Sequence, residues 1–302
     1  VKNSFMFRGQ KYETGQVITA ATMLLPNLIL LAIFLVWPII QVFYMSFTNW
    51  DLVKGTKDFI GLSNYKYLLH DENFFKALLN TFSYSTIKLS LDVVLSLFIA
   101  VLLDRNIPIR RYLRTVYFAP VVVPVVASSL IWIWFYDPGI GPLNQILTAF
   151  GLSPSEWLHG ESTALLSIVI FSVWKGLGYN IILFLAGLQS IPETYIEAAK
   201  IDGANDIQTF FKIKLPLLSP VMFFVVMMGI INSFKVFTEI SVMTPEGGPL
   251  YSTAVMVFYI YEQAFVRSRM GRAGAASVIL FLIVLTLTLI QKQIGKKTVN
   301  YD

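Results

Sequence analysis

Residues 14–50 contain no Asp, Glu, Lys or Arg. Nothing in such a run can clothe a water-facing surface over its whole length, and about 20 mostly apolar residues at helical rise already suffice to cross a bilayer. The run reads as a membrane-spanning helix with its apolar centre at 24–47. Five further stretches have the same character, at 81–103, 115–136, 165–189, 217–237 and 273–291. The first is too long in its apolar part for a cleaved signal peptide, and no small-x-small site ends it. The piece 251–261 is apolar but too short to cross, so a re-entrant or interfacial helix is expected there. At 56% hydrophobic and 14% charged over 302 residues, with a mean hydropathy of +0.66, the chain is expected to be an all-α membrane protein.

The absence of cysteine removes disulfides, thiolate nucleophiles and cysteine metal sites, and the two histidines, His70 and His159, stand alone in loops. No metal site and no catalytic residue is expected, and an intramembrane enzyme has no dyad to work with. The formal charge of +5 reads as a topology signal and not as a nucleic-acid footprint. With the N-terminus inside, the inner side collects Lys2, Arg8, Lys11, Arg105, Arg110, Arg111, Arg114, Lys200, Lys212, Lys214, Lys292, Lys296 and Lys297. The other side has fewer, among them Arg267, Arg269 and Arg272, which sit awkwardly just before the last span.

No linker or low-complexity run divides the chain. The expected organisation is a cytoplasmic N-terminal segment at 1–20, one transmembrane domain at 21–295 and a cytoplasmic tail at 296–302. The loop 50–76 mixes aromatics with both charge signs and is expected to form a small ordered cap. Internal symmetry of the kind that marks many secondary transporters is missing, as is a titratable relay, which argues against proton coupling. Six spans without a matching half call for a partner subunit. Pro26 and Pro38 in the first span, and Pro120 and Pro124 in the third, are read as packing kinks.

Residues 195–220, YIEAAKIDGANDIQTFFKIKLPLLSP, are far less lipid-like than their surroundings. Pro192 stops the fourth helix, and a short helix begins with Tyr195, Ala198 and Ala199 on one face. Gly203 supplies the turn. A second helix follows from Asp206 as N-cap, with Ile207, Phe210, Phe211 and Lys214 on an amphipathic face before Pro216 ends it. Its mixed charge does not resemble a basic lipid-binding helix, so a rigid elbow built for protein docking is expected.

The pattern Glu197-Ala198-Ala199, Gly203, then Ile213-Lys214-Leu215-Pro216 resembles the EAA loop of permease subunits in binding-protein-dependent ABC importers. Stretches such as RRYLRTVYFAPVVVP (110–124), VWKGLGYNIILFLAGLQSIP (173–192) and NSFKVFTEISVMTPEGGP (232–249) are similar to the carbohydrate-importing branch, which includes permeases for maltose, other oligosaccharides and glycerol phosphate. The resemblance implies a six-transmembrane-helix, type I importer permease of the maltose-permease kind. It also implies a second permease subunit, forming a heterodimer, with two cytoplasmic ATPase subunits, an extracytoplasmic substrate-binding protein and a bacterial inner-membrane location. Carried over, Glu197, Ala198, Ala199 and Gly203 would make the ATPase joint, positioned by Ile213, Leu215 and Pro216. ATP and Mg would be bound by the partner ATPases and no cofactor by this chain, which has no phosphate-binding G-x-x-x-x-G-K-[ST] loop.

Ionisable groups within spans are costly and therefore functional candidates. They are Lys88, Asp92, Lys175 and Lys235. Lys88 and Asp92 lie one turn apart and either neutralise each other or serve transport. The resemblance carries sugar contacts onto Gly178, Tyr179 and Asn180 in the fourth span and Asn232 and Ser233 in the fifth, with Lys235 beside them; helix packing is the competing reading for each. Gly247, Gly248 and Pro249 form a turn at a place where, on the resemblance, the family meets its binding protein; a plain tight turn accounts for them equally well. The cargo expected is a carbohydrate, an oligosaccharide before an acidic oligosaccharide or glycerol phosphate.

Overall fold

The computed structural model describes residues 4–7, 10–55, 57–104 and 110–298, so Lys2, Arg8, Arg105 and the end of the C-terminal tail lie outside it. The chain opens on a two-stranded antiparallel hairpin, β1 (Ser4–Phe7) and β2 (Gln10–Glu13). The hydropathy pattern did not announce it, because strands this short carry too little period to read. Among the described residues all other regular structure is helical.

The first apolar run is α1 (Thr14–Leu31), a π turn at Ala32–Val36 and α2 (Trp37–Ser46), with Pro38 tolerated in the first turn of α2. After the short α3 (Ser63–Leu68) comes α4 (Glu72–Asp104), 33 residues without glycine or proline. Asp71 caps it by accepting from the Asn73 amide at 3.0 Å. The third apolar run divides into α5 (Arg110–Val122) and α6 (Val125–Phe135), and α7 (Pro142–Ala149) follows in a loop. The fourth is one unbroken helix, α8 (Ala164–Gln189). Then come α9 (Glu193–Ile201), α10 (Asp206–Thr209), a π turn at Phe210–Lys214, α11 (Leu215–Leu217) and α12 (Ser219–Phe234). The chain ends on α13 (Thr238–Met243), α14 (Met256–Tyr261) and α15 (Met270–Thr298).

Among the described residues four helices are long and apolar enough to cross a membrane, and six spans result when two bent pairs each count as one. The first of these pairs corrects the expectation of a continuous third span, which bends by 109°, whereas the 65° bend of the other falls at Leu218, where the fifth span was expected to begin. At the third, Pro124 has extended geometry (ψ 136°). Its missing N–H and the steric demand on the residue before it end α5 outright, where a mild kink was expected. The two halves nevertheless progress along α8. The Tyr117 carbonyl lies against Gly178, the Trp132 ring centroid is 5.1 Å from that of Trp174, and the Tyr136 hydroxyl donates to the Ser167 carbonyl at 2.8 Å.

Three clusters of buried side chains run along the bundle, represented by Phe74, Met256 and Tyr259, by Tyr84, Phe171 and Ile240, and by Ala100, Phe184 and Leu218. Among the described residues only α4 contributes buried residues to all three. The bundle thus has a loop end, near Phe74, and an elbow end, near Leu103. At the loop end the segment 50–76 forms the expected ordered cap, with the Asn64 amide donating to the carbonyls of Ser46 and Thr48 at 2.9 Å each.

The three awkward arginines are all engaged there. Arg267 pairs with Glu262 and Arg269 with Asp51, each at 2.9 Å, and Arg272 lies 3.5 Å from the Tyr67 ring centre. The Asp51 carboxyl is held below its usual range, chiefly by the Lys54 backbone N–H and further by Arg269. The short apolar piece is corrected in part. Thr253, Ala254, Val255 and Met256 are at most 1% exposed, so this segment is buried inside the protein and is not interfacial.

Candidate functional site: the elbow and the middle of the spans

The elbow follows from local backbone chemistry. Pro192, at ψ 134°, leaves α8 in extended geometry and α9 starts directly after it. At the other end of α9, Gly203 adopts φ +78°, the left-handed conformation that a helix terminator requires. Its N–H donates to the Lys200 carbonyl at 3.1 Å, and the Ala204 N–H reaches the Ala199 carbonyl at 2.9 Å. These are the paired bonds of a Schellman motif.

The next helix is capped by Asn205 and not by Asp206 as the sequence reading had it. The Gln208 amide donates to Asn205 Oδ1 at 2.8 Å and Asn205 N–H donates to Gln208 Oε1 at 3.0 Å, a reciprocal capping box. Pro216 does not end this helix. It falls in the first turn of α11, and the π turn before it widens the spacing enough to accept a residue without an N–H. The break comes at Leu218.

The two faces also divide differently from expectation. Ala199 is buried against its own chain, whereas Tyr195, Glu197 and Ala198 are exposed. On the second helix Thr209 is buried and Phe210 half-buried, while Ile207 and Phe211 point outward. Ile201 is 86% exposed, Ile207 70% and Phe211 61%. Large apolar side chains left bare on a polar, charged elbow are the mark of an interaction surface. Beside them a groove of about 430 Å³ is lined by Ala199, Gly203, Ala204, Gln208, Lys212 and Ile213. Leu215 and Pro216 are half-buried behind it.

In the middle of the spans the predicted residues separate into two groups. Gly178 is buried, and a Cβ there would collide with the Tyr117 carbonyl; Ser233 is 1% exposed and donates to the Gly229 carbonyl at 2.6 Å. In this chain these two are taken up in helix packing. Tyr179, Asn232 and Lys235 are exposed on the chain's surface and Asn180 is half-buried.

The lysines divide likewise. Lys88 is ion-paired to buried Asp92, whose second oxygen has no partner. Lys175 donates to the carbonyls of Pro120 and Val123 at 2.6 Å each and reaches that of Val121 at 3.4 Å. Those acceptors are the orphan carbonyls at the end of α5, where a cation is also favoured by the helix dipole. Lys175 thus stitches the broken third span to α8, a structural task. Lys235 has no side-chain partner among the described residues.

A model of the family described as binding-protein-dependent transport system inner membrane component matches residues 92–300. The chain belongs to this family. The sn-glycerol-3-phosphate transport system permease protein UgpA of Yersinia enterocolitica is 34% identical over 283 residues, covering 93% of this chain and 95% of that protein. Its namesake in Escherichia coli strain UTI89 is 34% identical over 280 residues, covering 92% and 94%. Among solved structures, a bacterial ABC transporter involved in the import of the acidic polysaccharide alginate superposes with a TM-score of 0.84 at 24% identity, covering 95% of this chain and 98% of that one. The MetNI methionine ABC transporter gives a TM-score of 0.55 at 16% identity, covering 76% of this chain. Both share the fold.

As a member of the binding-protein-dependent inner membrane components, the chain is a multi-pass inner-membrane permease. Two features of this permease escaped the sequence reading. Glu239, two residues past the predicted end of the fifth span, acts electrostatically on both Lys175 and Tyr84. Lys214 forms an ion pair with Asp104 at 3.0 Å across 110 residues. Spacing could reveal neither, since each joins separate helices. The N-x-x-Q box at Asn205, by contrast, was readable.

Proposed function

We propose that this permease is the channel-forming subunit of an ATP-driven ABC importer that passes a carbohydrate, an oligosaccharide in the first reading, from an extracytoplasmic binding protein across the membrane. Two cytoplasmic ATPase subunits, which hold the ATP and Mg, dock on the elbow through Glu197, Ala198 and Gly203, with Ala199, Ile213, Leu215 and Pro216 shaping the seat. A second permease subunit completes the pathway, and the cargo passes Tyr179, Asn180, Asn232 and Lys235. The domain runs from 21 to 295, with segment 1–20, the coupling loop 192–216 and tail 296–302 on the cytoplasmic side. The observation that carries the reading is the elbow itself, a rigidly turned helix pair with Ile201, Ile207 and Phe211 bare beside a groove.

The test is copurification of ATPase subunits with the permease, together with transport. Glu197→Lys and Gly203→Pro are expected to abolish both ATPase retention and uptake while membrane insertion stays normal. Full uptake by both variants would show that the elbow does not couple.

A second reading changes only the cargo, to an acidic oligosaccharide or glycerol phosphate. Lys235 favours it, as an exposed lysine at the C-cap of α12 with no side-chain partner among the described residues, and so do the names of the UgpA relatives. Substrate-stimulated ATP hydrolysis by the assembled importer, measured with neutral and acidic sugars, separates the two; stimulation by neutral sugar alone removes the second.

A further inference from the structure

The loop 245–251 concentrates backbone strain. Of the five described non-glycine residues with left-handed φ, three lie here: Glu246 (62°), Leu250 (51°) and Tyr251 (65°). Each places a Cβ against a carbonyl, so the conformation persists only where its surroundings hold it. Bonds within the loop and from the Tyr251 hydroxyl to Glu262 hold it in part, and one helix supplies a further set of bonds. Lys76 of α4 donates to the Leu250 carbonyl at 2.5 Å, and the Asn80 amide donates to the carbonyls of Tyr251 at 3.1 Å and Ala254 at 2.9 Å. One residue further along α4, Thr81 Oγ1 accepts from the Met256 N–H at 2.8 Å.

The other end of the same helix grips the elbow. Asp104 is the last residue of α4, and its pair with Lys214 is 19% and 22% exposed on the two side chains. The pair lies at a crevice of about 260 Å³ that Val101 and Asp104 line together with Ile196, Lys200 and Phe210 of the elbow. Between the two grips α4 has no break, while the first, third and fifth spans are interrupted by a π turn or a bend. A helix anchored in three packed clusters is a rigid element, the kind of body that carries coupling between distant sites.

We propose that α4 is a strut joining the strained loop to the elbow, and that Asp104 and Lys214 are positioning residues which seat the elbow according to the state of that loop. The physiological meaning rests on the reading of the elbow as the ATPase joint; the mechanical link does not. In an importer it would report occupancy of the loop end to the motor, and it predicts that loosening one end loosens the other.

The experiment is hydrogen–deuterium exchange on the full chain, in lipid nanodiscs with the subunits that copurify with it. Lys76→Met should raise exchange in 246–256 and also, by roughly threefold, in 205–217. In an Asp104→Asn background the elbow should exchange faster from the outset, and adding Lys76→Met should then change it no further. The swap Asp104→Lys/Lys214→Asp should restore the wild-type pattern. Asn80→Ala serves where Lys76→Met does not assemble, and Lys214→Met reads the link in reverse, through exchange at 246–256. A loosened loop with an unmoved elbow, or effects of the two sites that simply add, would overturn the proposal. Either result would leave the ATPase reading of the elbow intact, since no nucleotide or cargo is present in the assay.

Discussion

In the elbow, the contacts that set the backbone lie within five residues: Ala204 to Ala199, Gly203 to Lys200, and Asn205 with Gln208. In the middle of the bundle, Lys175 finds its acceptors 52 to 55 residues away, and Gly178 is shaped by a carbonyl on another helix. The turn and cap of the elbow are therefore local, while its seat on the bundle runs through Lys214 and Asp104; damage to the turn should alter function with little effect on assembly. The span centre is a tertiary object, in which a substitution is felt first as stability.

The largest effect that could break this contrast is at Gly203. Gly203→Val places a β-branched residue at φ +78°, at a cost of about 1–2 kcal/mol to the turn, and uptake should be lost while the melting temperature in detergent barely moves. Gly203→Asn, which tolerates that backbone, should keep most of the uptake. Equal behaviour of the two variants would mean that the turn is not what matters.

Next is the Lys88 and Asp92 pair. Asp92→Asn strands a charged Lys88 and should destabilise the protein by about 3 kcal/mol, whereas Lys88→Met/Asp92→Leu removes both charges and should recover most of that loss. A double variant as unstable as the single would imply that the pair does more than neutralise itself.

Lys175→Met should cost about 1–3 kcal/mol by leaving the end of α5 unsatisfied, with Lys175→Arg milder. Thermal unfolding in detergent reads both, and a Met variant of wild-type stability that has lost uptake would give Lys175 a role in transport. The smallest effect is Asn205→Ala, about 1 kcal/mol of local helix stability. It should appear as faster hydrogen exchange confined to 205–210, sharpening the claim that the elbow is built locally.

The same contrast explains what could be read from the chain alone. Each expected apolar stretch overlaps an observed span because hydropathy over 20 residues is a strong signal, although α4 begins nine residues before the expected 81, and the glycine turn and EAA spacing sit within one short segment. Breaks were harder to read. Pro124 was visible, but whether a proline kinks a helix or ends it depends on what satisfies the freed carbonyls, and here the answer, Lys175, comes from a different span. Pro216 shows the reverse case, a proline absorbed by a π turn that no pattern announces. The N-cap was misplaced by one residue because Asn205 and Asp206 are both good caps, and only the Gln208 partner decides between them. Gly178 and Ser233 lay one residue from exposed Tyr179 and Asn232. At 3.6 residues per turn, that single step swings a side chain by about 100° from one side of the helix to another.

One ammonium holding the end of α5 to α8 restricts how the pathway can open. A longitudinal slip of one helix past the other by a full turn would strip Lys175 of its acceptors in a medium that offers no replacement. Any gating motion must therefore swing the two as a single leaf. The two-residue gap at 123–124 then becomes the seam about which α6 can follow its own arc.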